Sequence, residues 1–533
     1  MLILIPIVFL LVAAVAILIL NWLRPNYGLT WFISVGVSLV VWMGLIYLRI
    51  RLIQSIQLAK WLPVDLFSTS PSLILDRYSW PYAMGISTLL LVTILTAAAR
   101  SRFQLSPVAW AGSVGMTGIG LLAVCAGNPL TLVMTWVAID LIELLLVLNT
   151  ARDDQMTRRA VVAFAARLVS IYVILAAVMV SRSQGSILNL TTVDPKAGIF
   201  LIVGAGLRLG VLPLHLPFSA DLPMRRGLGT MLRSISSVSG LVLLSRLQGA
   251  IIPAEWAPFL ITLSAIATLY ASVMWMLAAD DLAGRPYWVI GMAGLAILCV
   301  FQGAATGSIA WGLMMLLGGG MSFLFTARTK PLFALPVLTL VLMTGLPFTP
   351  TANGFEGLFS GSFAAWKIMA ILAIVFLGLG FWRYVTHKGD PLAGMERWVQ
   401  VTYPLGLFLL PIIQITLGFF GWPGSRTIGI WWASTLVIVL LGTSIVYFEL
   451  VIRKSGVEIQ ERRQWVNIFQ RPARFLAAFF SLDWLYRLVG YTFDTVGGFL
   501  GRLAFVLEGD GGVLWTLLLL ALLLSLLQKG IGG

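Results

Sequence analysis

A run of roughly twenty apolar residues, long enough to cross the hydrocarbon core of a bilayer, recurs from one end of this chain to the other. We read such runs at 2–23, 30–48, 82–99, 107–125, 129–149, 160–181, 197–213, 230–247, 256–279, 286–302, 308–326, 331–347, 363–383, 402–421, 427–449 and 512–528. With no water in the bilayer to satisfy backbone N–H and C=O groups, each run must be helical. The expected fold class is therefore all-α, a polytopic membrane helix bundle of about 14–16 transmembrane helices. Composition agrees: 59% of the 533 residues are hydrophobic and 11% are charged, where a soluble domain carries about 25% charged residues. The first run, "MLILIPIVFLLVAAVAILIL", has neither a basic leader nor a small-residue cleavage site, and is expected to be a retained helix rather than a signal peptide.

The formal net charge of +14 would suggest nucleic acid in a soluble protein. In a membrane protein it points to loop asymmetry, because Lys and Arg collect on the cytoplasmic side. If the first helix enters from outside, the inner loops carry Arg100 and Arg102, Arg152, Arg158 and Arg159, Arg225 and Arg226, Arg328 and Lys330, Arg383 and Lys388, and Arg453 and Lys454. Outer loops 126–128 and 303–307 carry no charge, and Arg49, Arg51 and Lys60 fall on the other side. The expectation is a multi-pass protein of the inner (plasma) membrane with its N-terminus outside and no nucleic-acid partner. Cys125 and Cys299 stand apart in apolar runs and match no disulfide or metal spacing.

Three regions follow along the chain: a bundle over 1–450, a basic amphipathic segment over 451–511, and a last span over 512–533. The middle region alternates Arg463, Arg471, Arg474, Arg487 and Arg502 with aromatic clusters. Such a C-terminal amphipathic extension either lies along the membrane interface or packs on the bundle. Within the bundle, 197–228 is interrupted by Pro213, Pro217 and Pro223, and 331–361 by Pro347, Pro350 and three glycines. Proline removes a helix hydrogen bond and clashes with the preceding turn. In a membrane, two broken helices of this kind survive only inside protein or beside a cavity. Paired breaks in corresponding positions are how transporters build ion sites. The spacing here fits a repeat of roughly five helices.

An ionisable side chain inside a bilayer is costly, so each one requires a partner or an aqueous path. The candidates are Asp140 and Glu143, three residues apart on one helical face, with Arg167, Arg208, His215, Arg233 and Glu356. Asp280, Asp281 and Arg285 read as a solvated turn. The two acids either belong to an ion-translocating carboxylate–cation network or form a structural ion pair that fixes helix packing. Arginine keeps its proton at any relevant pH, whereas histidine titrates near neutrality. Among the candidates, His215 is therefore the cation able to exchange a proton.

These motifs, taken in order, resemble the antiporter-like subunits of respiratory complex I and of Mrp-type cation/proton antiporters. "GLRLGVLPLHLPFSADLP" is similar to that family's broken helix, with Arg208 at the position of its Lys. Arg233 falls where the next helix carries a Lys or His. "MTWVAIDLIELLLVL" resembles the Glu-bearing helix, with Asp140 the better match and Glu143 one turn on. "LDRYSWPYAMGISTLLLVTIL" is similar to the start of an early helix, at Asp76 and Ser79, and "MTGLPFTPTANGFEG" to the turn of the second broken helix. The resemblance covers roughly 75–360. It departs at "DDLAGRPYWVIGMAGLA", which lacks the family's Lys and His, and after "ANGFEG", where Glu356 is near the family's buried group but shifted.

The resemblance implies an ion-translocating membrane subunit, with the proton as the expected ion, working beside other membrane subunits of a larger respiratory-type complex in the lipid bilayer. Asp140, Glu143, Arg208, His215 and Arg233 would carry the ion. A non-pumping scaffold derived from the same family is the alternative. No metal-ligand cluster, phosphate loop or Ser/His/Asp set is present. Two histidines and two cysteines nearly exclude haem or Fe–S ligation within the chain, so no cofactor and no catalytic site of its own is expected. A polytopic lipid-modifying enzyme would need loop acids or histidines that the sequence does not offer.

Overall fold

The computed structural model describes residues 2–24, 28–51, 54–58, 69–99, 106–150, 154–190, 193, 195–218, 225–247, 252–327, 329–387, 389, 392, 394–447, 449–450, 487, 491–492, 495–499, 501–502 and 510–531. The chain divides into two compact units, Met1–Asn467 and Ile468–Gly533. The first contains α1 (Leu4–Leu23), α2 (Leu29–Leu48), β1 (Gln54–Gln57), β2 (Ser72–Leu75), α3 (Ser79–Ala97), α4 (Pro107–Val124), α5 (Pro129–Thr150), α6 (Asp154–Ser183), α7 (Pro195–Leu209) and α8 (Arg226–Arg246). It continues with α9 (Ala257–Leu277), α10 (Asp281–Phe301), α11 (Ala305–Leu313), α12 (Gly319–Leu324), α13 (Ala334–Met343), α14 (Ala352–Phe359), α15 (Ala365–Val385), α16 (Arg397–Phe420) and α17 (Trp431–Tyr447). The described part of the second unit is chiefly α18 (Asp510–Ile531). Most of the basic segment expected at 451–511 lies outside the described residues.

Every apolar run read from the sequence is helical. Twelve helices among the described residues are long and apolar enough to cross a membrane. Shorter apolar helices occupy the remaining runs, and the fold is the all-α membrane bundle that composition requires. The helix ends are set locally. Asn128 Oδ1 accepts from Thr131 N at 2.9 Å, with Pro129 as the first residue of α5. Ser106 does the same for α4 through Ala109 N, again ahead of a proline.

One feature was not expected. β1 and β2 pair antiparallel between α2 and α3, with Gln54 opposite Leu75 and Gln57 opposite Ser72. Ile74 N donates to Cys125 O and Gly127 N to Ser72 O, which ties the hairpin to the 125–128 connection. Cys125 and Cys299 are both free and buried.

Both expected breaks are present; the first lies almost wholly within protein, whereas the second leaves Pro347 and Phe348 exposed, against the expectation that both face the interior. α7 stops at Leu209, and a turn follows through residues that are buried except at Pro213 and Leu216. Gly210 sits at φ +75°, where a Cβ would lie 2.4 Å from His215 O. Only glycine fits there. Residues 219–224 lie outside the described set. The second break separates α13 from α14 by a turn at 344–351, held by Thr351 Oγ1, which donates to Leu342 O at 2.6 Å. A third irregularity was missed. α11 passes into α12 through a π turn at Met314–Gly318 within one span, and Trp288 Nε1 donates to the Met315 carbonyl at 3.0 Å. Such π turns interrupt the regular helical ladder.

A buried charge network at the first broken helix

α5 packs against α6 and α8, and α7 packs against α6 and α8. This arrangement points four charged helices at one another. Trp136, Asp140 and Glu143 recur on one face of α5 at helical spacing. Asp140 is fully buried and Arg208 is 1% exposed. Arg208 Nη1 donates to Asp140 Oδ2 and Nη2 to Oδ1, each at 2.9 Å. This bidentate fork is the geometry in which arginine binds carboxylate best. Arg208 Nε turns to α8, donating to Ser236 O and Ser239 Oγ at 3.2 Å. The guanidinium carbon lies 4.5 Å from the centroid of the Trp136 ring, so the aromatic face covers the cation.

The second acid serves two cations. Arg167 from α6 donates Nη2 to Glu143 Oε1 at 2.8 Å and Nη1 to Oε2. Arg233 from α8 donates to Glu143 Oε1 and rests over Phe218 at 4.3 Å. Arg167 Nη1 also lies 3.4 Å from Asp140 Oδ1. The result is an unbroken chain, Arg208–Asp140–Arg167–Glu143–Arg233, with every member buried. Three guanidiniums against two carboxylates leave one positive charge. Arg167 is the hinge of this chain because, among the described residues, it alone touches both acids.

Of the expected residues, the structure brings Asp140, Glu143, Arg208 and Arg233 together. His215 stands slightly apart, in the turn after α7. Its Nδ1 is 2.9 Å from Pro213 O, and Nε2 is buried with no hydrogen-bond partner among the described residues. A carbonyl can only accept, so the neutral ring carries its hydrogen on Nδ1 and presents a bare lone pair at Nε2.

Two readings are corrected. Glu356 is exposed on α14, where Oε2 accepts from Thr427 Oγ1 at 2.8 Å. The buried cation of that region is Lys367, near the start of α15, whose Nζ donates to Ser360 O at 2.6 Å. Arg285 is not in a solvated turn. It is 8% exposed, lies over Phe323 at 5.0 Å, and leaves Nε and Nη2 without partners among the described residues. Its neighbours are engaged elsewhere: Asp280 caps α10 through Ala283 N, and Asp281 pairs with Arg226. A further ion pair was not anticipated. Arg246, at the end of α8, lies 3.2 Å from Asp76 and donates to the carbonyls of Ala126 and Ile74. It fixes the hairpin and the start of α3 to α8.

No family model matches the chain, and no curated protein matches it. Solved structures do match. A chain of the membrane-bound sulfane sulfur reductase, an archaeal respiratory membrane complex, aligns with a TM-score of 0.67 at 16% identity, over 98% of this chain and 99% of that one. A chain of the Mrp complex from Dietzia sp. aligns with a TM-score of 0.68 at 16% identity over the whole of this chain, which spans 63% of that one's length. A chain of respiratory complex I from Thermus thermophilus aligns with a TM-score of 0.64 at 19% identity, over 83% of this chain and all of that one. The chain has their fold. The resemblance read from the motifs is thus met in the backbone.

Proposed function

We propose that the chain is an ion-translocating membrane subunit of a complex I-like or Mrp-like assembly, moving protons. Its setting would be the plasma membrane, with the N-terminus outside and other membrane subunits as partners. The observation that carries this reading is the buried five-charge chain beside a broken helix. Two acids on one face exceed what a single structural clamp requires, and both are reached by one cation, Arg167. A carboxylate that loses a guanidinium partner holds a proton more readily. Swinging Arg167 fully onto Asp140 would leave Glu143 with Arg233 alone, and the reverse swing would restore the present state. The arginines set this switch without carrying protons. Glu143, Asp140 and the open Nε2 of His215 are the groups able to carry them.

The scaffold reading has its own support. Every cation in the network is an arginine, and Arg208 is held at both ends, by Asp140 and by Ser236 and Ser239. In the second half, moreover, α10 carries no acid beyond its first turn.

The test begins with the native assembly, whose co-migrating subunits identify the partners. Reconstituted into vesicles, it should drive lumen acidification that persists without sodium and collapses with a protonophore. Glu143→Gln should reduce that signal severalfold in a fully assembled complex. Acidification that requires sodium would overturn the proton assignment, and an unchanged signal in Glu143→Gln would favour the scaffold.

A further inference from the structure

A cleft of 420 Å³ opens between α9, α15 and α17, close to the C-terminal ends of all three helices. Its apolar part is formed by Met276, Leu379 and the ring of Trp382, and its polar end by Arg383, Thr443 and Tyr447. A volume of that size lies within the range of pockets that hold a small ligand. One group at this end is incompletely used. Arg383 Nη1 donates to the carbonyls of Met276 and Ala278, but no carboxylate lies within ion-pair distance of its guanidinium among the described residues. The nearby acids are committed, Asp280 to the cap of α10 and Asp281 to Arg226.

An arginine with no carboxylate partner among the described residues, beside an apolar cleft, calls for an occupant with an anionic, acceptor-rich head and a hydrocarbon tail. Trp and Tyr at the end of membrane helices mark the headgroup level. Basic pockets between such helices bind phosphate headgroups. We infer that this cleft is a binding site for an anionic phospholipid, with its phosphate on Arg383 and an acyl chain against Met276 and Leu379. The site stands apart from the charge network and does not depend on the proposed function.

The experiment uses the full chain, reconstituted in vesicles of phosphatidylglycerol and phosphatidylcholine in equal parts, then counted for retained lipid by native mass spectrometry. Wild type should retain phosphatidylglycerol over phosphatidylcholine by about fivefold, the worth of one arginine near a headgroup. Arg383→Gln should lose that preference and Arg383→Lys should keep it. Thr443→Trp, which fills the cleft from an exposed position, should lose both lipids. An undiminished preference in Arg383→Gln, or full retention in Thr443→Trp, would overturn the site. Stabilisation by millimolar inorganic phosphate equal to that by the lipid would overturn the lipid assignment in favour of a free anion.

Discussion

Replacing Asp140 by Asn changes one atom and disturbs the whole network. The carboxylate accepts both forks of Arg208 at 2.9 Å and lies 3.4 Å from Arg167. An asparagine offers one oxygen and turns an N–H₂ donor towards guanidinium donors. One charge-assisted bond is lost, worth about 1.5–3 kcal/mol, and the buried excess rises from one positive charge to two. Breaking a buried pair by removing one partner costs about 3–5 kcal/mol, and we expect Asp140→Asn in that range. The assay is thermal unfolding of the detergent-purified protein together with its yield in the assembled complex. Arg208→Gln combined with Asp140→Asn restores the original excess charge and lets two amides pair. The double variant should recover about 0.5–3 kcal/mol relative to the sum of the singles. An Asp140→Asn protein that unfolds with wild type, or strict additivity in the double variant, would refute this reasoning.

Gly210→Ala should destabilise the first break by at least about 1–2 kcal/mol, since it forces a Cβ into the left-handed region and against His215 O; a shift in the unfolding midpoint would register it, and a neutral result would show that the turn relaxes freely. Arg285→Met removes a buried cation whose Nε and Nη2 lack partners among the described residues, so stability should be unchanged or raised by about 1–4 kcal/mol. A large loss of stability there would mean that Arg285 has bonds the present geometry does not contain. Arg233→Gln should cost less than Asp140→Asn, about 1.5–3 kcal/mol, because Glu143 keeps Arg167; equal losses in the two variants would contradict the division of labour between the acids.

Much of the fold was legible because the bilayer enforces it. A twenty-residue apolar run has one solution in hydrocarbon, so helix positions followed from length alone. Asp140, Glu143, Arg167, Arg208 and Arg233 stood out for the same reason: a charge in such a run is too costly to be incidental. Which residue pairs with which was not legible. The bridging of both acids by Arg167 depends on how α6 lies across α5, and nothing in its local sequence separates it from Arg233. Arg246 and Lys367 sit at span ends, where a basic residue reads as interfacial. Arg285 follows two aspartates, and that neighbourhood suggested solvent although its guanidinium turns inward over Phe323. The hairpin was hidden because two four-residue strands leave little periodic signal between apolar runs. The π turn was hidden because its residues read as ordinary apolar helix.

Whether the network moves ions or only holds helices together is decided most directly at Arg208. The measurement is the number of ions moved per turnover of the assembled, reconstituted complex, with wild type, Arg208→Lys and Arg208→Ala compared in preparations of equal subunit content. If Asp140 and Arg208 form a working part of the path, lysine keeps the charge opposite Asp140 and preserves coupling, while alanine leaves Asp140 to Arg167 alone and abolishes it. An unchanged ion count in Arg208→Ala, in a fully assembled complex, would contradict the translocation account and leave the chain as a scaffold.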